Sequence, residues 1–136
     1  LHYAIINGLD GSVSLLLSNG ADVNAVGRNG YRAVHIAAAR GRVSALRLLV
    51  NHDADCISRN WFGYTPLHLS AARGYEDTTR FLLDVTGDVN CPDYAGATPL
   101  LLACQNNKEA VAKLFLERGA QMELANKVRP PPQRVV

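Results

Sequence analysis

Residues Gly63 to Val89 read G-Y-T-P-L-H-L-S-A-A-R-G-Y-E-D-T-T-R-F-L-L-D-V-T-G-D-V, and their pattern decides the fold. Gly63 and Tyr64 leave a turn, and Thr65-Pro66 then open a helix. A threonine at the cap accepts from an orphan backbone N–H, and proline at the first helical position has no N–H to lose. Leu67, Leu69, Ala71 and Ala72 give this helix a narrow apolar face, and Gly74 ends it. A second helix follows, with Phe81, Leu82 and Leu83 as its apolar end. Two helices this short cannot enclose a core, so the unit has to stack on copies of itself.

The copies are present. A step of 33 residues links Gly30, Gly63 and Gly96, and likewise Leu1, Val34, Leu67 and Leu100. The same step joins Gly8, Gly41, Gly74 and Asn107, then Leu16, Leu49, Leu82 and Phe115, and Ala21, Ala54, Gly87 and Ala120. No insertion or deletion breaks it between Leu1 and Met122. A strict period of this size, carrying a turn, two helices and T-P-L-H at Thr65 to His68, resembles the ankyrin repeat. The resemblance implies an all-α fold, an α-solenoid of about four repeats with short β-turn fingers along one edge. The repeats run 1–26 (incomplete at its start), 27–59, 60–92 and 93–126, so that 1–126 is the repeat domain.

Composition narrows the function by exclusion. A net charge of +2 is too small to point to nucleic acid or an anionic membrane. No run approaches the roughly 18 to 20 apolar residues of a membrane span. Leu1 to Ile6 reads as part of a repeat rather than as a secretory signal. Cys56, Cys91 and Cys104 are odd in number and scattered without a C-x-x-C pair. They read as small buried or half-buried thiols in a reducing compartment, which places the protein inside the cell, in cytoplasm or nucleus.

The repeats differ in detail. In the first, Leu1-His2 aligns with Leu67-His68, so the turn and T-P lie upstream of the sequence and further repeats are expected there. Gly20 and Asp22 suit its closing turn. In the second, Arg32-Ala33-Val34-His35 replaces T-P-L-H, which removes a cap worth about 1 kcal/mol. Asp53 stands there for the expected glycine and tolerates a left-handed conformation. In the third, Thr86 occupies the glycine position, and Gly87 is expected to take the left-handed turn one residue later. In the fourth, Leu101 replaces the histidine and Asn106-Asn107 replaces Arg-Gly. Lys127 to Val136, with Pro130-Pro131-Pro132, reads as a Pro-rich tail of extended course.

No catalytic constellation is legible. Gly27-Arg28-Asn29-Gly30 lacks the Lys-Ser/Thr of a phosphate loop, and no serine sits in G-x-S-x-G. The sequence points to a protein that is not an enzyme and needs no cofactor. His2, His35 and His68 recur with the period, but stacked helices stand roughly 8 to 10 Å apart, too far for ligands converging on one zinc ion. The resemblance implies instead that these histidines bridge loops of adjacent repeats. No metal site is expected, and His52 is a lone loop histidine.

The surface carries what remains. In ankyrin folds the turn tips and the exposed side of the first helices form a concave groove where partners dock. By register the tips carry Arg28-Asn29, Trp61-Phe62 and Tyr94-Ala95. Trp61, Phe62 and Tyr94 are candidate anchors, since aromatic residues and arginine dominate interfaces, or else they pack against a neighbouring tip. Arg40 and Arg73 end successive first helices, with Arg42, Tyr75 and Lys108 nearby in register. They form a basic stripe suited to a carboxylate or an acidic peptide, though cations also favour helix C-termini for their own sake. Asn24 and Asn90 each follow a leucine by eight residues, an arrangement similar to asparagines hydroxylated in other ankyrin proteins, or simply a hydrogen-bonded turn.

The expected function is therefore non-catalytic protein binding on the groove and tips. The alternatives are a structural span of a larger solenoid, in a scaffold or channel tail, or a substrate-binding adaptor of a ubiquitin ligase. Lys127 to Val136 shows no recruiting box for the last.

Overall fold

The structure is a computed structural model that describes residues 1–121. The Pro-rich segment 127–136 and the last residues of the fourth repeat lie outside the described residues. Helices alternate in two classes. The first helix of each unit is α1 (His2–Ile6), α3 (Ala33–Ala39), α5 (Pro66–Arg73) or α7 (Pro99–Gln105). The second is α2 (Asp10–Ser18), α4 (Val43–Asn51), α6 (Glu76–Thr86) or α8 (Glu109–Glu117).

Two layers result, and they do not pack equally. First helices touch along their lengths, α3 on α5 and α5 on α7, more closely than α4 touches α6. Alanine is the reason: Ala37, Ala38, Ala71 and Ala103 are fully buried between first helices, where a methyl group lets backbones approach. A solenoid whose one layer is tighter than the other curves toward the tight layer, so the first helices line the concave side. Larger side chains fill the space between layers, among them Ile5, Val34, Leu46, Leu49, Leu82 and Phe115, each fully buried. Burying each is worth about 1.5–3 kcal/mol.

Register alone does not decide burial. Leu16 is 38% exposed although its counterparts Leu49, Leu82 and Phe115 are buried, because α2 is the outermost second helix. Cys104 corrects the expectation of three sheltered thiols. Its counterparts Ala38 and Ala71 are covered by the next first helix, whereas Cys104 on α7, the last first helix among the described residues, is exposed. Cys56 is buried and Cys91 half-buried, and burial pushes both thiols up toward the protonated form.

Helix ends follow the local chemistry. Thr65 Oγ1 accepts from His68 N–H at 3.3 Å, and Thr98 Oγ1 from Leu101 N–H at 3.2 Å. Arg32 gives α3 no side-chain cap bond. Asp53 takes φ +66° in place of glycine. Helix α6 runs through Thr86 and ends on Gly87 at φ +73°, so the turn is displaced by one residue, as the β-branched Thr86 requires.

Candidate binding surface

Three fingers project along one edge of the concave layer, at 27–31, 60–64 and 93–97. Each is closed by a bond from its first N–H to its fifth carbonyl: Gly27 to Tyr31 (2.7 Å), Asn60 to Tyr64 (3.0 Å) and Asp93 to Ala97 (2.7 Å). In two fingers the first side chain organises the turn. Asn60 Oδ1 accepts from Phe62 and Tyr64 N–H at 2.9 and 3.0 Å, and Asp93 Oδ1 from Ala95 and Ala97 N–H, both at 2.8 Å. Gly27 has no such group, and there Asn29 adopts φ +58° instead. Asn60 and Asp93 were not singled out in the sequence, although their shared register and turn-forming chemistry were available to read.

Consecutive fingers are braced by the aromatics at their tips. Trp61 N–H donates to Asn29 carbonyl oxygen at 3.0 Å, and the indole lies flush on Gly30. A Cβ there would stand 2.4 Å from indole Cδ1 and 2.8 Å from Trp61 N. Tyr94 covers Gly63 likewise, where a Cβ would stand 2.5 Å from Tyr94 N. Glycine is thus demanded by close approach as much as by positive φ. Arg59, also not anticipated, ties the two fingers together. Its Nη1 donates to the carbonyls of Gly63 and Pro92, and its guanidinium lies 5.9 Å from the Tyr94 ring centre.

Packing consumes only one side of these rings. Trp61 remains 68% exposed, Tyr94 69% and Phe62 51%, large apolar areas on a stiff support. Arg28 shares the register of Trp61 and Tyr94 and is exposed on the first finger.

Arg40, Arg73 and Tyr75 come together away from the tips, with Arg42, in a cleft of about 540 Å³ between consecutive units. Tyr31, which closes the first finger, and Ile36 of α3 form part of its wall. Arg42 Nη2 donates to Ile6 carbonyl oxygen at 3.1 Å, and Arg73 Nη1 to Ala39 carbonyl oxygen at 3.2 Å. Each guanidinium therefore satisfies the end of the preceding unit's first helix. Arg40 is exposed. Tyr75 lies over Gly41, its ring 3.0 Å from where a Cβ would be.

The recurring histidines are fully committed. His35 Nδ1 accepts from Arg32 N–H at 3.0 Å, while Nε2 reaches the carbonyls of Ser58 (3.0 Å) and Tyr64 (3.1 Å). His68 repeats the pattern, with Nδ1 on Thr65 N–H at 3.2 Å and Nε2 on Ala97 carbonyl oxygen at 2.9 Å. Both rings are fully buried and, with Nε2–H donating, neutral; burial lowers their pKa, and that of half-buried His2, below the ordinary value. Rings with both nitrogens occupied bridge adjacent loops rather than bind a ligand. The turn asparagines bridge units too: Asn24 Oδ1 accepts from Asp55 N–H at 2.9 Å, and Asn90 Oδ1 from Gln121 N–H at 3.0 Å.

Among the described residues no helix is long and apolar enough to cross a membrane, and no group of three metal-ligating side chains converges. No curated protein matches the chain. The family model for ankyrin repeats (3 copies) matches it twice, over residues 1–93 and 56–126. Repeats of this family are generally protein–protein interaction modules and typically non-catalytic. With stacked helix pairs, bridging histidines and covered finger glycines in hand, the chain belongs to the ankyrin repeat family.

Proposed function

We propose that this chain is a non-catalytic protein-binding module inside the cell, docking a partner protein across its finger tips and concave first-helix face. One observation carries the reading. Trp61, Phe62 and Tyr94 each leave half or more of their surface in water, while Trp61 N–H is bonded across to Asn29, Phe62 N–H to Asn60 within its own finger, and Tyr94 lies against Gly63. Large aromatics held rigid lose little entropy on binding and bury much area, the profile of an interface hot spot. Arg28, Arg40, Arg73 and Tyr75 complete the surface, and charge complementarity there would set orientation.

The test is a pull-down from cell lysate with the chain and with a Trp61→Ala, Phe62→Ala double variant of matched thermal stability. A protein captured by the first and lost by the second is the expected result. Capture of the same proteins by both removes the tips from the binding site.

A second reading, one span of a larger solenoid in a scaffold or channel tail, draws on Tyr3 and Leu15. These apolar residues of the outermost helix pair are 74% and 65% exposed. Capture of nothing by either form would favour it.

A further inference from the structure

The linear sequence mixes acids with bases, but the fold confines the helical acids to one layer. Helices α1, α3, α5 and α7 contain no aspartate or glutamate, whereas α2, α6 and α8 carry Asp10, Glu76, Asp77, Asp84, Glu109 and Glu117. The ion pairs of the described residues follow the acids to the second layer: Arg80 with Glu76 and Asp77, and Arg118 with Asp84. Arg40 and Arg73, at the ends of the first helices α3 and α5, and Arg42, at the start of α4, have no carboxylate partner among the described residues. They converge on a cleft between consecutive units.

We propose that this cleft receives an acidic peptide segment of the partner protein, with a carboxylate seated at Arg40 and Arg73. The proposal rests on the protein-binding reading above and names the chemistry of what binds. Three features of the cleft support it. Arg42 and Arg73 are each anchored by one nitrogen to a helix-end carbonyl, so their remaining donors are held in place before any ligand arrives. Arg42, which lines the cleft, has its Nε buried without a bond partner. The walls are aromatic and aliphatic, Tyr31, Ile36 and Tyr75, and suit the stem and apolar neighbour of an acidic side chain.

A volume near 540 Å³ is that of a single ligand-sized cleft. It does not form the long track that neutralises about 6–10 phosphates in nucleic-acid complexes. Asp10 shares an adjoining hollow with Arg42 but forms no ion pair with it.

The experiment uses random short peptides displayed on phage, selected in parallel on the chain and on an Arg40→Glu variant. Arg40 is exposed and makes no side-chain bond, so this substitution leaves the fold in place, which thermal unfolding checks. An Arg73→Gln variant reports on the second guanidinium. Peptides enriched in aspartate or glutamate are expected from the parent chain, and a different population from Arg40→Glu. A synthetic copy of the leading peptide should bind Arg40→Glu about tenfold or more weakly, and weaken with added salt.

Selected peptides without acids, still displaced by Trp61→Ala, would overturn the acidic cleft while sparing the binding reading. No selected peptide from any form would overturn both. A single-stranded oligonucleotide that competes with the acidic peptide at equal concentration would overturn the choice of a peptide as occupant.

Discussion

The second and third units build the same helix start from different residues. The third has Thr65 as cap and Pro66 at the first helical position, and its histidine adds a bond to the threonine hydroxyl at 2.8 Å. The second has Arg32 and Ala33 there and no side-chain cap, yet α3 begins at the same place in the period. What the two share is the histidine. His35 and His68 each accept the cap residue's own N–H and donate across to the finger of the next unit. Between these two units the strap from helix start to next finger is constant and the hydroxyl cap an addition to it, whereas the fourth unit keeps the Thr98 cap and has Leu101 in place of the histidine.

The largest effect should come from cutting the strap. His35→Ala and His68→Ala each leave the cap residue's N–H without its partner, take one of two bonds from a finger carbonyl and open a cavity. Unfolding by urea should show a loss of about 2–4 kcal/mol for each. His35, which serves two carbonyls and has no threonine to share the load, should cost at least as much as His68. A loss under about 1 kcal/mol at His35 would reverse the ranking of strap over cap.

Acid attacks the same bonds. The folded state lowers the pKa of His35 and His68 below 6.5, chiefly through burial. The unfolded chain therefore binds protons first as pH falls, and the stability contributed by the neutral rings is full above about pH 6.5 and lost below it. Protonation at Nδ1 also sets a donor against the cap N–H. Thermal midpoints should drop between about pH 7.5 and about pH 5.5, and drop less in His35→Ala. The buried thiols stay protonated throughout that range and do not mask the trend. A midpoint flat across the interval would mean that the rings are hydrated in solution.

Exchanging the caps is a smaller perturbation. Thr65→Ala should cost about 1 kcal/mol, and Arg32→Thr should gain about 0.5–1 kcal/mol by supplying α3 with the bond it lacks. Equal responses in the two units would sharpen the comparison into a statement about caps alone. A neutral Arg32→Thr would show that the strap already saturates the α3 start.

Much of this was legible in the sequence because the period is unbroken. The 33-residue step places every helix pair, the histidine column and the finger tips, and the displaced turn at Gly87 follows from a β-branched residue at Thr86. What the sequence hides is what only a neighbour supplies. Gly30 and Gly63 read as turn glycines, but the rings of Trp61 and Tyr94 lie on them, so their lack of a side chain also serves the next unit. Cys104 and Leu16 share register with core residues, and they are exposed because no further helix of the described residues covers them. Arg59 has no arginine in its register, Val26 and Pro92 standing there, so nothing in the repeat marks it as a clamp between fingers. The acids look interspersed along the chain, and that the first helices lack them shows only when the helices are sorted into layers.

The smallest effect on stability should fall at the proposed binding site, where it sets the finger against the helix start. Trp61 is 68% exposed, and its structural bond to Asn29 is made by the backbone N–H, which alanine keeps. Trp61→Ala should therefore change unfolding free energy by no more than about 1 kcal/mol, well below His35→Ala. The same substitution should abolish capture of the partner, since truncating a central aromatic anchor costs an interface about 2 kcal/mol or more. Stability and binding would then be carried by different residues of the same repeat edge: histidines inside, aromatics outside. A Trp61→Ala variant as unstable as His35→Ala would show instead that the indole on Gly30 is part of the solenoid's own packing, and that the tips are spent on holding the fingers together.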